Sequence, residues 1–96
     1  MKVKDYVIEQ IIKVANKYKI DKIILFGSRA KGENTNTSDY DLAVFCHQLS
    51  PTEKALFCCD LEEINTLKKI DVVFIDDNID EKLMENILTE GVVIYG

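Results

Sequence analysis

Gly27-Ser28 is separated by ten residues from Asp39-Tyr40-Asp41, and a further carboxylate, Asp71, lies in a later apolar segment. These residue types suit phosphate and metal chemistry. A glycine behind a buried strand lets a ligand approach the backbone. A helical turn starting there would present free N–H groups and a partial positive charge, which together with the Ser28 hydroxyl outlines a phosphate cradle. Asp39 and Asp41 are two apart, so strand alternation points both to one face, where their oxygens could share one or two cations. If Asp71 joined them, three carboxylates within about 4 Å would repel by several kcal/mol per pair at an effective dielectric of ~20. Such a cluster calls for a divalent cation, and hard oxygen ligands favour Mg²⁺ or Mn²⁺.

Other phosphate and metal motifs do not fit. Gly27 and Gly32 have P-loop spacing, but Glu33 and Asn34 follow where Lys and Ser or Thr are required. Arg29 occupies the second glycine position of a dinucleotide fingerprint, and Ala43 stands where a calcium loop needs a ligand. Alone, a D-x-D pair is more often solvated charge, Asp71 a strand-start carboxylate, and Gly-Ser an ordinary turn. Their order along the chain is the specific feature. Arg29 is the only arginine; it could contact phosphates or pin the loop through a carboxylate. Lys31 reads as solvated. His47, the only histidine, has no partner identifiable in the sequence.

These residues need a scaffold, and the chain predicts one. Val7, Ile8, Ile11, Ile12, Ala15 and Tyr18 recur at helical spacing over Lys4 to Tyr18. Lys22 to Phe26 reads as a buried strand ended by Gly27. Glu33 to Ser38 is polar and reads as loop. Asp41 to Cys46 reads as a strand, with Leu42, Val44 and Cys46 on one side, Asp41, Ala43 and Phe45 on the other, and Tyr40 facing away from the carboxylates. Ser50-Pro51-Thr52-Glu53 is a capping box with proline at the first helical position, opening a helix to about Lys68 or Lys69 whose lysines suit its negative pole. Asp71 to Ile75 reads as a strand. Asp80 caps a helix through about Thr89, Gly91 follows its end, and Val92 to Tyr95 is a last strand. The expected fold is α/β (α+β): one domain over residues 1–96, with one sheet flanked by helices; element order alone does not give the strand directions, and a mixed sheet is taken as the expectation.

Composition narrows the function. The chain is 47% hydrophobic and 30% charged, which predicts a globular domain. Its net charge of −5 argues against direct gripping of nucleic acid, yet leaves a nucleotide open because a metal can supply positive charge. Cys46, Cys58 and Cys59 form no metal-binding spacing and read as reduced, buried thiols of a cytoplasmic protein. No signal peptide or membrane span is expected.

Gly27-Ser28, ten residues, then Asp39-Tyr40-Asp41 resembles the signature of the polymerase-β-like nucleotidyltransferase superfamily. The fuller runs FGSRAKG, SDYDLAV and IDVVFID are similar to the minimal nucleotidyltransferases, the MntA-type antitoxins. The resemblance covers essentially the whole chain. It implies that Gly27 and Ser28 hold the β- and γ-phosphates of ATP; Arg29 stands beside them as the further candidate for nucleotide binding. It implies that Asp39 and Asp41 bind two Mg²⁺ ions, with Asp71 as third carboxylate on the metal nearer the attacking oxygen. Members transfer a nucleoside monophosphate to a hydroxyl and release pyrophosphate; the MntA-type ones modify a tyrosine of a HEPN-domain ribonuclease toxin and silence it. A hetero-oligomer with such a toxin is therefore expected. Larger relatives carry a helical domain for the acceptor, whereas these 96 residues leave no room for one, so a partner is expected to supply that surface. An acidic surface would suit a basic, RNA-binding toxin. Two alternatives stay open: an antitoxin that masks its partner by contact over a silent site, and a small-molecule nucleotidyltransferase with a separate substrate-binding subunit.

Overall fold

The computed structural model describes residues 6–27, 40–64, 66, 69–75 and 80–96. Among them are α1 (Tyr6–Ala15), β1 (Lys22–Phe26), β2 (Tyr40–Phe45), α2 (Pro51–Glu62), β3 (Ile70–Ile75), α3 (Glu81–Glu90) and β4 (Val92–Tyr95). The sheet order is β3-β2-β1-β4, with β1 antiparallel to both neighbours and β2 parallel to β3. The sheet is mixed, as expected. A helix of twelve residues carries the chain from the end of β2 back to the start of β3, which is what a parallel pair requires.

Alternation decides which side chains meet which helix. Tyr40, Leu42 and Val44 face a core shared with Val7, Ile8 and Ile11 of α1 and with Phe57 and Leu61 of α2. Ile24, Ala43 and Ile75 face the other way, against Ile87 of α3. The sheet is thus covered on both faces, and Tyr40, 1% exposed, belongs to the core.

Local signals hold at most element ends. The Ser50 hydroxyl accepts from the Glu53 N–H, and the Glu53 carboxylate accepts from the Ser50 N–H, both at 3.1 Å. The Asp80 carboxylate accepts from the Lys82 N–H, and the Gly91 N–H closes α3 on the Ile87 carbonyl. Two helices are shorter than their apolar spacing predicts. The first ends at Ala15, and Lys17 and Tyr18 tighten the last turn by donating to carbonyls three residues back. The second stops at Glu62 instead of Lys68 or Lys69, with no basic residue in its last turn. Asn65 and Thr66 are poor helix formers, and the Thr66 N–H turns back to the Ile64 carbonyl. Lys69, expected at a helix end, instead precedes β3, and its carbonyl accepts from the Tyr40 N–H at 2.9 Å. That bond adds Tyr40 to the front of β2, one residue before the expected start.

Among the three cysteines no disulfide forms; Cys46 and Cys58 are half-buried, and burial pushes both thiols up, whereas Cys59 is exposed, contrary to its expected burial. His47 does have a partner, its Nδ1 lying 2.6 Å from the Asp21 carboxylate in solvent.

Tyr18 ties α1 to α2. Its phenol donates to Asp60 at 2.6 Å and its ring meets Phe57 edge-on at 5.6 Å. The hydrogen bond to Asp60, aided by burial, pushes the phenol from 10.0 up to about 12. A raised pKa in the folded state means stability that is fully present below pH 10 and lost as pH climbs through about 12. Tyr18→Phe is therefore expected to lower the thermal midpoint at pH 7, with the gap to the parent closing across that alkaline window. Equal gaps at pH 8 and at the alkaline end would sink this assignment.

Candidate active site

Three of the six residues singled out as a site lie among the described residues, and the sheet brings them together. Asp41 and Asp71 are register partners in the parallel pair β2–β3. Neighbouring strands run about 4.8 Å apart. By alternation both carboxylates leave the sheet on the side of Ala43, Val73 and Ile75, the side covered by α3. In the antiparallel pair β1–β2, Asp41 stands opposite Phe26, and Gly27 is the next residue. Ser28, Arg29 and Asp39 lie outside the described residues, as does Lys31.

Gly27 is a glycine for two separate reasons. Its φ is +81°, a region that side chains with a Cβ avoid. A Cβ there would also stand 2.5 Å from the Asp41 Oδ2 atom. The backbone of Gly27 thus fits directly against the carboxylate of Asp41.

Asp71 is about half-exposed, at 43%, and Lys69 Nζ sits 3.4 Å from its Oδ1. The sequence hid this lysine, because it fell within the apparent run of α2. The available signal was its place two residues before Asp71, which alternation puts on the same side. Lys69 partly offsets two acidic side chains that face each other across adjacent strands. Its own side chain is 73% exposed, so the pair is screened and its effect on stability is small.

Among the described residues, no three His, Cys, Asp or Glu side chains form a metal-binding group. The Asp41–Asp71 pair nevertheless has the donor chemistry for a hard divalent cation: two carboxylates side by side, one backed by a glycine that leaves its oxygen room.

The model of the family described as "Polymerase beta, Nucleotidyltransferase" matches residues 9–96. The chain belongs to this nucleotidyltransferase family. No curated protein matches its sequence significantly. Solved structures similar to this nucleotidyltransferase include a toxin–antitoxin complex with AMP-PNP, at 25% identity and TM-score 0.73, covering 93% of this chain and 73% of that one. A tri-AMPylated Shewanella oneidensis HEPN toxin in complex with MNT antitoxin matches at 22% identity and TM-score 0.66, covering 94% and 70%. An MntA–HepT toxin–antitoxin structure matches at 22% identity and TM-score 0.65, with the same coverage. The last two establish the shared fold.

Proposed function

We propose that this nucleotidyltransferase is an antitoxin that transfers AMP from ATP to a hydroxyl, a tyrosine by the resemblance, of a partner HEPN ribonuclease toxin. The observation that carries the reading is the meeting of Gly27, Asp41 and Asp71 at one end of the sheet. A family fold alone leaves the reaction open. A glycine fitted against one carboxylate, with a second carboxylate in register, supports metal-assisted chemistry on a phosphate. Solved neighbours that hold AMP-PNP or an AMPylated HEPN toxin point to the substrate and the acceptor.

Each residue then has a role. Asp39, Asp41 and Asp71 would hold two Mg²⁺ ions, or Mn²⁺ in their place. When bound, these ions offset charge on the attacking and leaving oxygens of an in-line displacement. Gly27 and Ser28 would offer backbone N–H and hydroxyl donors to the triphosphate, with Arg29 beside them. The acceptor oxygen bonds to the α-phosphorus, the bond from that phosphorus to the bridging oxygen breaks, and pyrophosphate leaves. The acceptor's proton passes to the Asp71 carboxylate, which is open enough to receive it at 43% exposure. Lys69, beside Asp71, adds positive charge where phosphates gather. The partner supplies the acceptor surface, making the working unit a hetero-oligomer. A cytoplasmic setting completes the reading, with the cysteines as free thiols.

Gly27→Ala tests the packing of Gly27 on Asp41. The added methyl must displace the Asp41 oxygen, and the positive φ costs roughly 1–2 kcal/mol. The variant is expected to fold, with transfer lowered about tenfold or more. Full transfer would contradict the packing role. The functional reading is tested by intact-mass spectrometry of a purified HEPN toxin incubated with the chain, ATP and Mg²⁺. The toxin is expected to gain whole AMP units and lose ribonuclease activity together. Inhibition without added mass would favour masking by contact, and AMP on a small acceptor would favour the separate-subunit reading.

A further inference from the structure

The outer face of α3 carries a surface that the proposed reaction does not use. Glu81, Met84, Glu85, Leu88 and Thr89 line a shallow, open patch on this helix. Positions 81, 84, 85 and 88 are spaced i, i+3, i+4 and i+7, so they form one stripe of the helix. Leu88 is 63% exposed, more than any other large hydrophobic residue among those described. The same helix buries Ile87 completely, with Leu83 and Met84 beside it, so Leu88 lies outside a core that is already complete. Val93 is half-exposed on β4 and pairs with Ile24, whose side chain faces α3, so it adds apolar surface on that side of the sheet.

Two features indicate what covers this stripe. The first is charge. Glu81 and Glu85 are exposed and flank the apolar residues, and the chain carries a net charge of −5. A partner with basic residues bordering its own apolar strip matches in sign as well as in shape. The second is position. β4 follows α3 and begins opposite Leu25, while Asp41 pairs with Phe26, so the last turn of α3 comes to the same end of the sheet as Gly27, Asp41 and Asp71. Those two carboxylates also project on the α3 side.

We infer that the outer face of α3 is the docking surface for a basic amphipathic helix of the protein that carries the acceptor hydroxyl. Leu88 takes the apolar side chains of that helix, with only the uncovered part of Met84 beside it, and Glu81 and Glu85 pair with its lysines or arginines. A helix seated there lies beside the catalytic end, which converts recognition of the partner into delivery of its hydroxyl. The acceptor part of this inference rests on the proposed transfer reaction; the binding part does not.

The test therefore omits nucleotide. A fluorescein-labelled Leu/Lys peptide of roughly 18 residues, with leucines at i, i+3, i+4 and i+7, is titrated with the intact chain and followed by anisotropy. A peptide of identical composition with scrambled spacing controls for charge alone. The patterned peptide is expected to bind about tenfold tighter than the scrambled one, and Leu88→Glu to remove that advantage. Glu81→Lys with Glu85→Lys is expected to weaken binding several-fold and flatten its salt dependence. Equal binding of the two peptides, or an unchanged affinity in Leu88→Glu, would overturn the inference. So would a concentration-dependent dimer of the parent chain that Leu88→Glu dissolves, because the face would then be occupied by a second copy. Leu88 touches no group placed in the reaction, so circular dichroism and the midpoint of Leu88→Glu are expected to match the parent. Failure of AMP transfer in a separate assay would leave the peptide result intact, and failure of the peptide would leave transfer standing.

Discussion

Asp41→Asn is expected to lower AMP transfer by roughly 10²- to 10³-fold, the scale on which single preorganised groups stabilise a transition state, while leaving the fold intact. The substitution keeps the shape of a half-buried side chain and removes its charge. What it removes chemically is one of two adjacent carboxylates that face each other from β2 and β3. Asp71→Asn is expected to cost a comparable factor, and the double variant little more, because groups that act as a unit are non-additive. A second readout separates metal binding from turnover. If Mg–ATP binds as one ligand at these carboxylates, supplying it at about 100 times its Kd stabilises the parent by about 2.7 kcal/mol. For a domain of this size that raises the midpoint by on the order of ten degrees. Asp41→Asn is expected to lose most of that rise. A variant that keeps the rise and loses transfer would move Asp41 from binding to the chemical step alone. A variant that keeps both would remove it from the site.

The largest expected effect on stability is at Phe57. Its side chain has no exposed surface, and it joins α2 to the sheet through Phe74 at 6.3 Å and to the segment after α1 through Tyr18. Lys54, one turn earlier, lies over the Phe74 ring at 5.4 Å, so the face of α2 toward β3 is ordered around this aromatic pair. Phe57→Ala leaves a cavity among Tyr18, Phe74 and Leu61, and such deletions cost about 3–5 kcal/mol. Small domains have about 5–15 kcal/mol in total, so the variant is expected to be partly unfolded near 37 °C. In urea the midpoint should fall with the slope unchanged, the mark of lost stability without a changed denatured state. Phe57→Leu should recover more than half of the loss. A Phe57→Ala variant within about 1 kcal/mol of the parent would mean that the core closes around the gap and that α2 is held elsewhere.

The fold was legible where its causes are local. The capping box at Ser50, the Asp80 cap and the alternation from Asp41 to Phe45 each depend on neighbours within a few residues, and each element appears where those signals point. The end of α2 was not legible for the same reason inverted. Leu61 and Ile64 continue a helical spacing toward Leu67, so periodicity alone carries the helix past the turn at Glu63 and Ile64. Lys69 went with it, and its nearness to Asp71 was lost.

The site was legible in part. Its residue types and order along the chain singled out Gly27, Asp41 and Asp71. That β2 and β3 are parallel, and that Asp41 faces Asp71, are pairings between segments some thirty residues apart, which no local rule reports. The clash that makes Gly27 a glycine was hidden too, because it involves a carboxylate on the neighbouring strand. The exposed patch on α3 gave almost no signal, since one leucine on a polar helix face is ordinary until the buried face has been counted.

The most direct test of the account is where the label goes from ATP labelled either at the α- or at the γ-phosphate, incubated with Mg²⁺, the chain and a purified HEPN toxin. Nucleotidyl transfer predicts that only α-label reaches the toxin, that γ-label leaves as pyrophosphate, and that Asp41→Asn lowers the α-label on the toxin by roughly 10²- to 10³-fold. γ-Label on the toxin, or no α-label on a toxin that is nevertheless silenced, would contradict it.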